Sequence, residues 1–206
     1  MNKLLITGFE PFNGHLLNPS QLLVQNLPDQ YGNFALIKGV LPVQHALAPE
    51  RLLTLLNDHH PDAVLAFGLA SSRSKISLER VAINLMDYRI PDNTGVTITN
   101  QPIDPSGPAA YFSTLPLETL STALNKAGLP TEISLSAGAY LCNQVFYTLM
   151  HAITIQQSNI PAGFIHLPAL PEQSAPSPEA VPAMPLDMLL SAAHLIIDIL
   201  SQTRAT

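Results

Sequence analysis

Short apolar segments alternate along this chain with segments of helical periodicity. Apolar runs typical of strands lie at residues 3–7, 34–41, 63–68 and 162–168. The run 63–68 is apolar at every position, as expected for a central parallel strand that is buried on both faces. Strands that alternate with helices predict an α/β fold. We expect a three-layer α/β/α sandwich with a largely parallel central sheet, formed by a single domain over residues 1–206.

Apolar spacing and capping residues delimit the helices between these strands. Asn18 followed by Pro19 predicts a helix that continues to about residue 26. Thr114 is a candidate cap for a later helix that ends at Gly128, and the last helix is predicted to begin at Pro185. The residues expected to face inward in the helix at 47–58 are Leu47, Leu52, Leu55 and Leu56.

Two further segments have weaker signals. Residues 76–85 alternate as one strand that contains Glu79, whereas residues 86–108 and the proline-rich segment 170–185 predict loops. A loop is also predicted at 8–14, and it contains Phe9 and Phe12. These two rings either pack under the sheet or form a flat apolar wall for a ring-shaped ligand.

Composition and charge exclude several classes of function. Only 9 Lys and Arg residues and a net charge of −6 disfavour nucleic acid as a partner. No segment approaches the ~20 apolar residues that would span a bilayer, so no membrane association is expected. One cysteine allows no intrachain disulfide, which fits the cytoplasm, and the seven histidines show no metal-site spacing. We therefore expect no metal and no cofactor.

The single cysteine, Cys142, is placed where a strand gives way to a helix. Small residues at 137–139 suit a tight turn, and the apolar face that follows is typical of a helix. A lone cysteine in apolar surroundings is most often a buried hydrophobe. A cysteine in the first helical turn, in contrast, meets unpaired N–H groups that favour a thiolate. It acts as a nucleophile only if a base and an orienting group lie near it.

His166 and Glu79 are candidates for those two partners. His166 lies at the far end of a predicted strand, and ligands of such sheets bind at the carboxyl ends of strands. Glu79 is an acid within an apolar segment, where a histidine partner would offset the cost of burial. Four other acids could orient the imidazole equally well on spacing alone: Glu10, Asp87, Asp92 and Glu172.

Six blocks of the chain, in this order, resemble the pyroglutamyl peptidase I family, also called pyrrolidone-carboxylate peptidases. They are Gly8-Phe-Glu-Pro-Phe12, Glu79-Arg-Val-Ala-Ile-Asn84, Arg89-Ile-Pro-Asp-Asn93, Gly107 to Pro116, Ala137-Gly to Cys142-Asn143, and Gly163 to Gln173. Each block alone is a weak signal, whereas six in family order are specific. The resemblance extends from residue 3 to about residue 200.

The resemblance implies a cysteine exopeptidase that hydrolyses the amide bond after an N-terminal pyroglutamyl residue through an acyl thioester. It implies Cys142 as the nucleophile, His166 as the general base and Glu79 as the residue that orients the imidazole. It also implies peptide substrates, no cofactor, a cytoplasmic location and a homo-oligomer, typically a tetramer. The positions that match the substrate pocket are Phe9, Phe12, Arg89, Ile90, Tyr140 and Leu141.

Several residues depart from the family pattern. Leu69 stands where glutamine is usual, Ser71 and Ser72 replace a glycine pair, and Gln144 replaces a histidine. Met86 and Tyr88 also differ from the residues that usually flank Asp87. One rival function is a ligand-binding descendant that lost turnover through these substitutions. A second is a nucleoside phosphorylase, to which the family's fold is similar, although only the segment 71–73 suggests its phosphate cradle.

Overall fold

A computed structural model describes residues 1–175 and 181–203 of the chain, and these residues form nine strands and six helices. The strands are β1 (Asn2–Phe9), β2 (Gln30–Tyr31), β3 (Phe34–Leu41), β4 (Ala63–Leu69), β5 (Ile76–Glu79), β6 (Val81–Ile83), β7 (Ala110–Phe112), β8 (Thr131–Ser134) and β9 (Ala162–Leu167). The helices are α1 (Pro19–Asn26), α2 (Leu47–His59), α3 (Leu117–Lys126), α4 (Leu141–Ile155), α5 (Pro171–Ser174) and α6 (Leu186–Thr203).

Seven strands form the main sheet in the order β2-β3-β1-β4-β9-β5-β8. Four of its neighbouring pairs are parallel, as the alternation of strands and helices predicts. The pairs β2–β3 and β5–β9 are antiparallel. Strands β6 and β7 form a separate antiparallel ribbon. The carboxyl ends of β1, β4 and β9 therefore meet at one edge of the sheet.

Helices cover both faces of this sheet, which confirms the predicted α/β sandwich. One apolar cluster joins side chains of β1 to α1, α3 and α6, and a second joins the opposite side chains of β1 to α2 and α4. Leu4 and Ile6 belong to the first cluster, whereas Leu5 and Phe9 belong to the second. This division follows from the alternation of side chains along a strand. No helix of the described residues is long and apolar enough to cross a membrane.

Four local predictions need correction. Strand β1 continues through Gly8 and Phe9, so the predicted loop begins later. The predicted strand 76–85 is broken after Glu79, and its second half pairs in the ribbon. Leu47 is exposed at the start of α2. Thr114 does not cap α3; its hydroxyl donates to Ile160 O and so ties the chain to the start of β9.

The long segment 86–108 is a loop, as predicted, but its backbone is held by hydrogen bonds. Met86 and Gln101 exchange two backbone hydrogen bonds, and Tyr88 N donates to Ile98 O. Asn84 Oδ1 accepts from the backbone of Ile103 at 2.8 Å. The proline-rich segment 170–185 contains α5, and its residues 176–180 lie outside the described part of the chain.

Two glycines in neighbouring strands give a matched test of the packing. A Cβ at Gly8 would lie 2.3 Å from Ser20 O, a backbone atom of α1, whereas a Cβ at Gly39 would meet only the mobile end of Leu55 at 2.5 Å. We expect Gly8→Ala to lower the free energy of unfolding by about 2–3 kcal/mol or more and Gly39→Ala by distinctly less. Urea unfolding measures both. Equal losses would contradict this account of the β1–α1 contact.

Candidate active site

Cys142 lies in the first turn of α4, as the sequence predicts. Helix α4 begins at Leu141, and Gln144 N, which donates to Tyr140 O, is the first of its amides to bond within the helix. The N–H groups of residues 141–143 precede that first bond, and no described side chain caps this end of the helix. Asn143 fixes the turn from the other side, because its amide donates to Ile83 O and Leu85 O and accepts from Ile83 N.

Glu79 and His166 form a buried hydrogen bond. His166 Nδ1 lies 2.7 Å from Glu79 Oε1, and the Glu79 carboxyl is fully buried at the end of β5. Burial raises the pKa of this carboxyl, but the hydrogen bond from His166, with Ser134 and the charge of Arg73, lowers it by more. Glu79 is therefore an acceptor, so His166 donates its Nδ1–H and keeps Nε2 free to take a proton.

Gly68 brings the thiol and the imidazole together. It is the register partner of His166 in the parallel pair β4–β9. A Cβ at Gly68 would lie 2.9 Å from Cys142 Sγ, so the thiol lies directly against this bare stretch of backbone. Any larger residue at position 68 would push the sulfur away from the strand that carries His166.

The electrostatics of the thiol differ from the sequence-based prediction. Burial raises the pKa of Cys142 to about 12, the charge of Glu79 acts in the same direction, and only Arg73 and a backbone N–H oppose them. Burial of the thiol and the charge of Glu79 thus act against the effect expected of the helix N-terminus and outweigh it. A proton acceptor near the thiol would counteract these effects, and His166 lines the same cavity as Cys142.

Cys142 and His166 line one open cavity of about 820 Å³. Of the predicted pocket residues, Phe12, Arg89, Ile90 and Tyr140 also line it, and they come from the loops after β1 and β6 and from the start of α4. Further described lining residues are Asn13, His15, Leu69, Ala70, Ser71, Ser72, Arg73, Ile83, Asp87, Ser136, Ala137, Gly138 and Ala139.

The prediction that Phe9 and Leu141 line the pocket is wrong. Both side chains are almost fully buried, and neither lies on the cavity surface. Phe9 is still in β1, and its ring packs 6.5 Å from that of Phe164 in the core below the site. Leu141 points into the same apolar cluster from the first residue of α4. Both side chains thus pack in the core beneath the cavity wall.

Tyr140 belongs to an aromatic wall that polar groups hold in place. Its hydroxyl donates to Pro91 O at 3.1 Å, and its ring meets that of Tyr88 edge-on at 4.7 Å. The Tyr88 hydroxyl donates to Gln144 Oε1 at 2.6 Å, while Gln144 Nε2 donates to His45 O. Gln144, one of the departures from the family pattern, therefore fastens the wall to α4.

The alternative acids do not contact His166. Asp92 accepts hydrogen bonds from Thr94, Val96 and His45, and although burial raises its pKa, these bonds lower it by more. Glu10 accepts from Val43 N and Asn93 Nδ2 instead. Among the described residues, no group of three or more His, Cys, Asp or Glu side chains could hold a metal ion.

Arg73 is a site residue that the sequence analysis did not identify. Its Nη1 donates to Glu79 Oε1 at 2.6 Å, and its Nη2 donates to Ser136 O at 2.7 Å. The segment 71–73 suggested a phosphate cradle, but this guanidinium is already engaged by a carboxylate. The sequence did contain a signal for Arg73. Glu79 lies in an apolar segment, and a buried carboxylate is costly unless a cation as well as a histidine pairs with it.

Comparison with known proteins agrees with this geometry. The family model described as pyroglutamyl peptidase matches residues 2–203. The chain belongs to the pyroglutamyl peptidase family. It is 41% identical to pyrrolidone-carboxylate peptidase 1 of Caldanaerobacter subterraneus subsp. tengcongensis, over 98% of this chain and 100% of that protein.

Solved structures of the pyroglutamyl peptidase family share the fold. A mutant pyrrolidone carboxyl peptidase from Pyrococcus furiosus superposes with a TM-score of 0.94 at 40% identity, covering 97% of this chain and 98% of that one. Pyroglutamyl peptidase I of Bacillus amyloliquefaciens gives 0.93 at 34% identity, with 98% of each chain covered. The family resemblance read from the six sequence blocks is thereby confirmed.

The dependence of the thiolate on His166 can be measured by alkylation. His166→Ala leaves the half-buried Cys142 thiol without the imidazole as a proton acceptor, so its reaction with iodoacetamide at neutral pH should be slower by about tenfold or more. Its rate should continue to rise at pH values where the wild-type rate has levelled. His60→Asn, which changes an exposed histidine of positive φ outside the cavity, is the matched control. Identical profiles for His166→Ala and wild type would show that the imidazole does not ionise the thiol.

Proposed function

We propose that this chain is a cysteine exopeptidase that hydrolyses the amide bond after an N-terminal pyroglutamyl residue of peptides. The observation that carries the proposal is the pair His166–Glu79, hydrogen-bonded at 2.7 Å, at the edge of the cavity that also exposes Cys142. Membership of the pyroglutamyl peptidase family supplies the substrate class. Cys142 is the proposed nucleophile, His166 the general base, and Glu79 the residue that orients the base.

In the first half of the reaction, His166 Nε2 takes the proton of the Cys142 thiol as the sulfur attacks the pyroglutamyl carbonyl carbon. The carbonyl π electrons move to oxygen and form an oxyanion. The N–H groups at the start of α4 supply donors for that oxyanion, and Arg89, which lines the cavity, supplies a positive charge. Glu79 stabilises the imidazolium through its hydrogen bond to Nδ1.

In the second half, the imidazolium gives its proton to the leaving amine, and the C–N bond breaks to leave a thioester on Cys142. Water then loses a proton to His166 and attacks the thioester carbonyl. Cleavage of the C–S bond releases pyroglutamate and restores the thiol. The scheme needs no cofactor and no metal.

The cavity walls suit a flat, neutral lactam. Phe12, Ile90 and Tyr140 supply apolar surface, and the Phe12 and Tyr140 rings lie 6.2 Å apart. One acid lines the cavity among the described residues. It is Asp87, which is exposed and accepts from Asn100 N, and Arg89 lies two residues away. Because water reaches this carboxylate, it offers an enclosed cation little compensation.

Substrate choice provides the first test. Pyroglutamyl-aminomethylcoumarin should be cleaved, whereas the prolyl compound keeps the ring but brings a cationic nitrogen and lacks the lactam oxygen. We expect the prolyl kcat/KM to be lower by about 10⁴-fold, because a site that hydrogen-bonds a missing group rejects the analogue strongly. Glutamyl and glutaminyl compounds should be inactive as well. Comparable rates for the prolyl and pyroglutamyl compounds would refute the assigned substrate class.

Variants of the three proposed catalytic groups provide the second test. Cys142→Ser and His166→Ala should each lower kcat by at least about 10³-fold, and the double variant should lose little more, since the groups act as a unit. Glu79→Gln should lose less, because it retains volume and an amide oxygen. Mass spectrometry of quenched wild type should show the acyl thioester on Cys142. Activity within tenfold of wild type in Cys142→Ser would eliminate the nucleophile assignment.

The cellular setting is also part of the proposal. A single cysteine is consistent with a cytoplasmic location, and the family resemblance supports that location and a homotetramer. The catalytic groups described above come from one chain, so this proposal does not require a residue from a neighbouring subunit.

A further inference from the structure

Arg73 occupies a position that the proposed reaction does not yet explain. It lies in the loop 70–75 between β4 and β5, and its guanidinium spans two neighbouring parts of the site. One nitrogen reaches the buried Glu79 carboxylate at 2.6 Å, and the other reaches Ser136 O at 2.7 Å in the segment 136–139 that lines the cavity. A planar fork is suited to bind two acceptors in this way.

Charge balance indicates what this contact does. Proton transfer from Cys142 to His166 creates a thiolate and an imidazolium beside the Glu79 carboxylate. With the Arg73 guanidinium, these four groups sum to zero charge. Without it they sum to −1, in a place where Glu79 is fully buried and Cys142 is half-buried. The transfer leaves this sum unchanged, but without Arg73 the Glu79 charge would oppose the negative charge that forms on the sulfur.

We propose that Arg73 is a positioning residue for the reaction: its charge offsets that of Glu79, which would otherwise oppose the negative charge that forms on Cys142 when the thiol proton passes to His166. The inference rests on the proposed roles of Cys142 and His166. In support, the charge of Glu79 raises the pKa of Cys142 and the charge of Arg73 lowers it. The Arg73–Ser136 bond also ties the cavity wall to the same guanidinium.

The other charged and titratable groups around the site cannot replace this cation. Asp87 and Arg89 line the cavity from the loop after β6, and His15 lines it from the loop after β1; all three are exposed. Burial raises the pKa of Tyr140 to about 12 and also raises that of Tyr88, so both phenols are neutral. Glu132 on β8 accepts from Ser77 Oγ and is a further acid, not a compensating cation.

The test compares Arg73→Met with Arg73→Lys. Methionine removes the charge, whereas lysine keeps it but loses the two-acceptor fork. Arg80→Met is the matched control, since Arg80 pairs at 2.6 Å with the exposed Glu118 and does not line the cavity. For each variant, the rate of Cys142 alkylation by iodoacetamide and the kcat/KM for pyroglutamyl-aminomethylcoumarin are measured as functions of pH. Thermal unfolding shows which variants are folded.

Arg73→Met should move the rise of the alkylation rate and the acidic limb of kcat/KM to higher pH by about one unit or more, since one nearby charge shifts a pKa by that amount. In Arg73→Lys both profiles should rise at nearly the wild-type pH, because the positive charge is kept. In Arg80→Met they should match wild type. A lower rate at every pH with an unmoved profile in folded Arg73→Met would overturn the inference. If Arg73→Met does not fold, the test relies on Arg73→Lys. An alkylation profile of Arg73→Lys that is displaced as far as that of His166→Ala would overturn the inference.

The alkylation profile separates this inference from the proposed function, because it needs no substrate. Wild type that fails to cleave the pyroglutamyl compound would refute the proposed function. A shifted Arg73→Met alkylation profile in the same protein would still support a role of Arg73 in thiol ionisation.

Discussion

A fully buried carboxylate is the constraint on which this site depends. Glu79 has no exposure to water, and its Oε1 accepts from both His166 and Arg73 at 2.7 and 2.6 Å. A buried charge of this kind is tolerated only when its partners are fixed. The strand that carries His166 and the loop that carries Arg73 must therefore meet at the end of β5. The pairing of β5 with β9 therefore brings the buried Glu79 carboxylate to the partners that stabilise it.

Strand direction explains how these groups meet, and the sequence could not predict it. Alternation and apolar runs located the strands near β1, β3, β4 and β9, and they indicated that Cys142 and His166 lie near one edge. Nothing in the pattern showed that β5 runs antiparallel to β9, with Ser77 opposite His166. In that register Glu79, two residues on, shares the face of the sheet used by His166. Chemistry made Glu79 one of several candidate partners of His166, the family resemblance singled it out, and the register supplies the geometry.

The failed predictions have a common physical cause, because position in sequence does not decide which side of a backbone a residue faces. Phe12 reaches the cavity while Phe9 remains in β1 and is buried, and Tyr140 lines the cavity while Leu141 turns inward with α4. The thiol shows the same limitation in its electrostatics. Helix position suggested a favoured thiolate, but the degree of burial beside Glu79, which only the fold reveals, acts in the opposite direction and more strongly.

The departures from the family pattern are best understood through the cavity wall. Gln144 contributes nothing to the Cys142 thiol directly, but its two hydrogen bonds join Tyr88 and His45 O to α4. Tyr88 in turn packs edge-on against Tyr140, and the Asp92 carboxylate holds the loop beyond it through bonds to His45, Thr94 and Val96. A change at position 144 therefore alters the placement of the aromatic wall formed by Tyr88 and Tyr140. Tyr140 lies immediately before α4, the helix that carries Cys142. Because the buried pair Glu79–His166 lies on separate strands, such variation can alter how a substrate ring is held while leaving the proton-transfer groups in place.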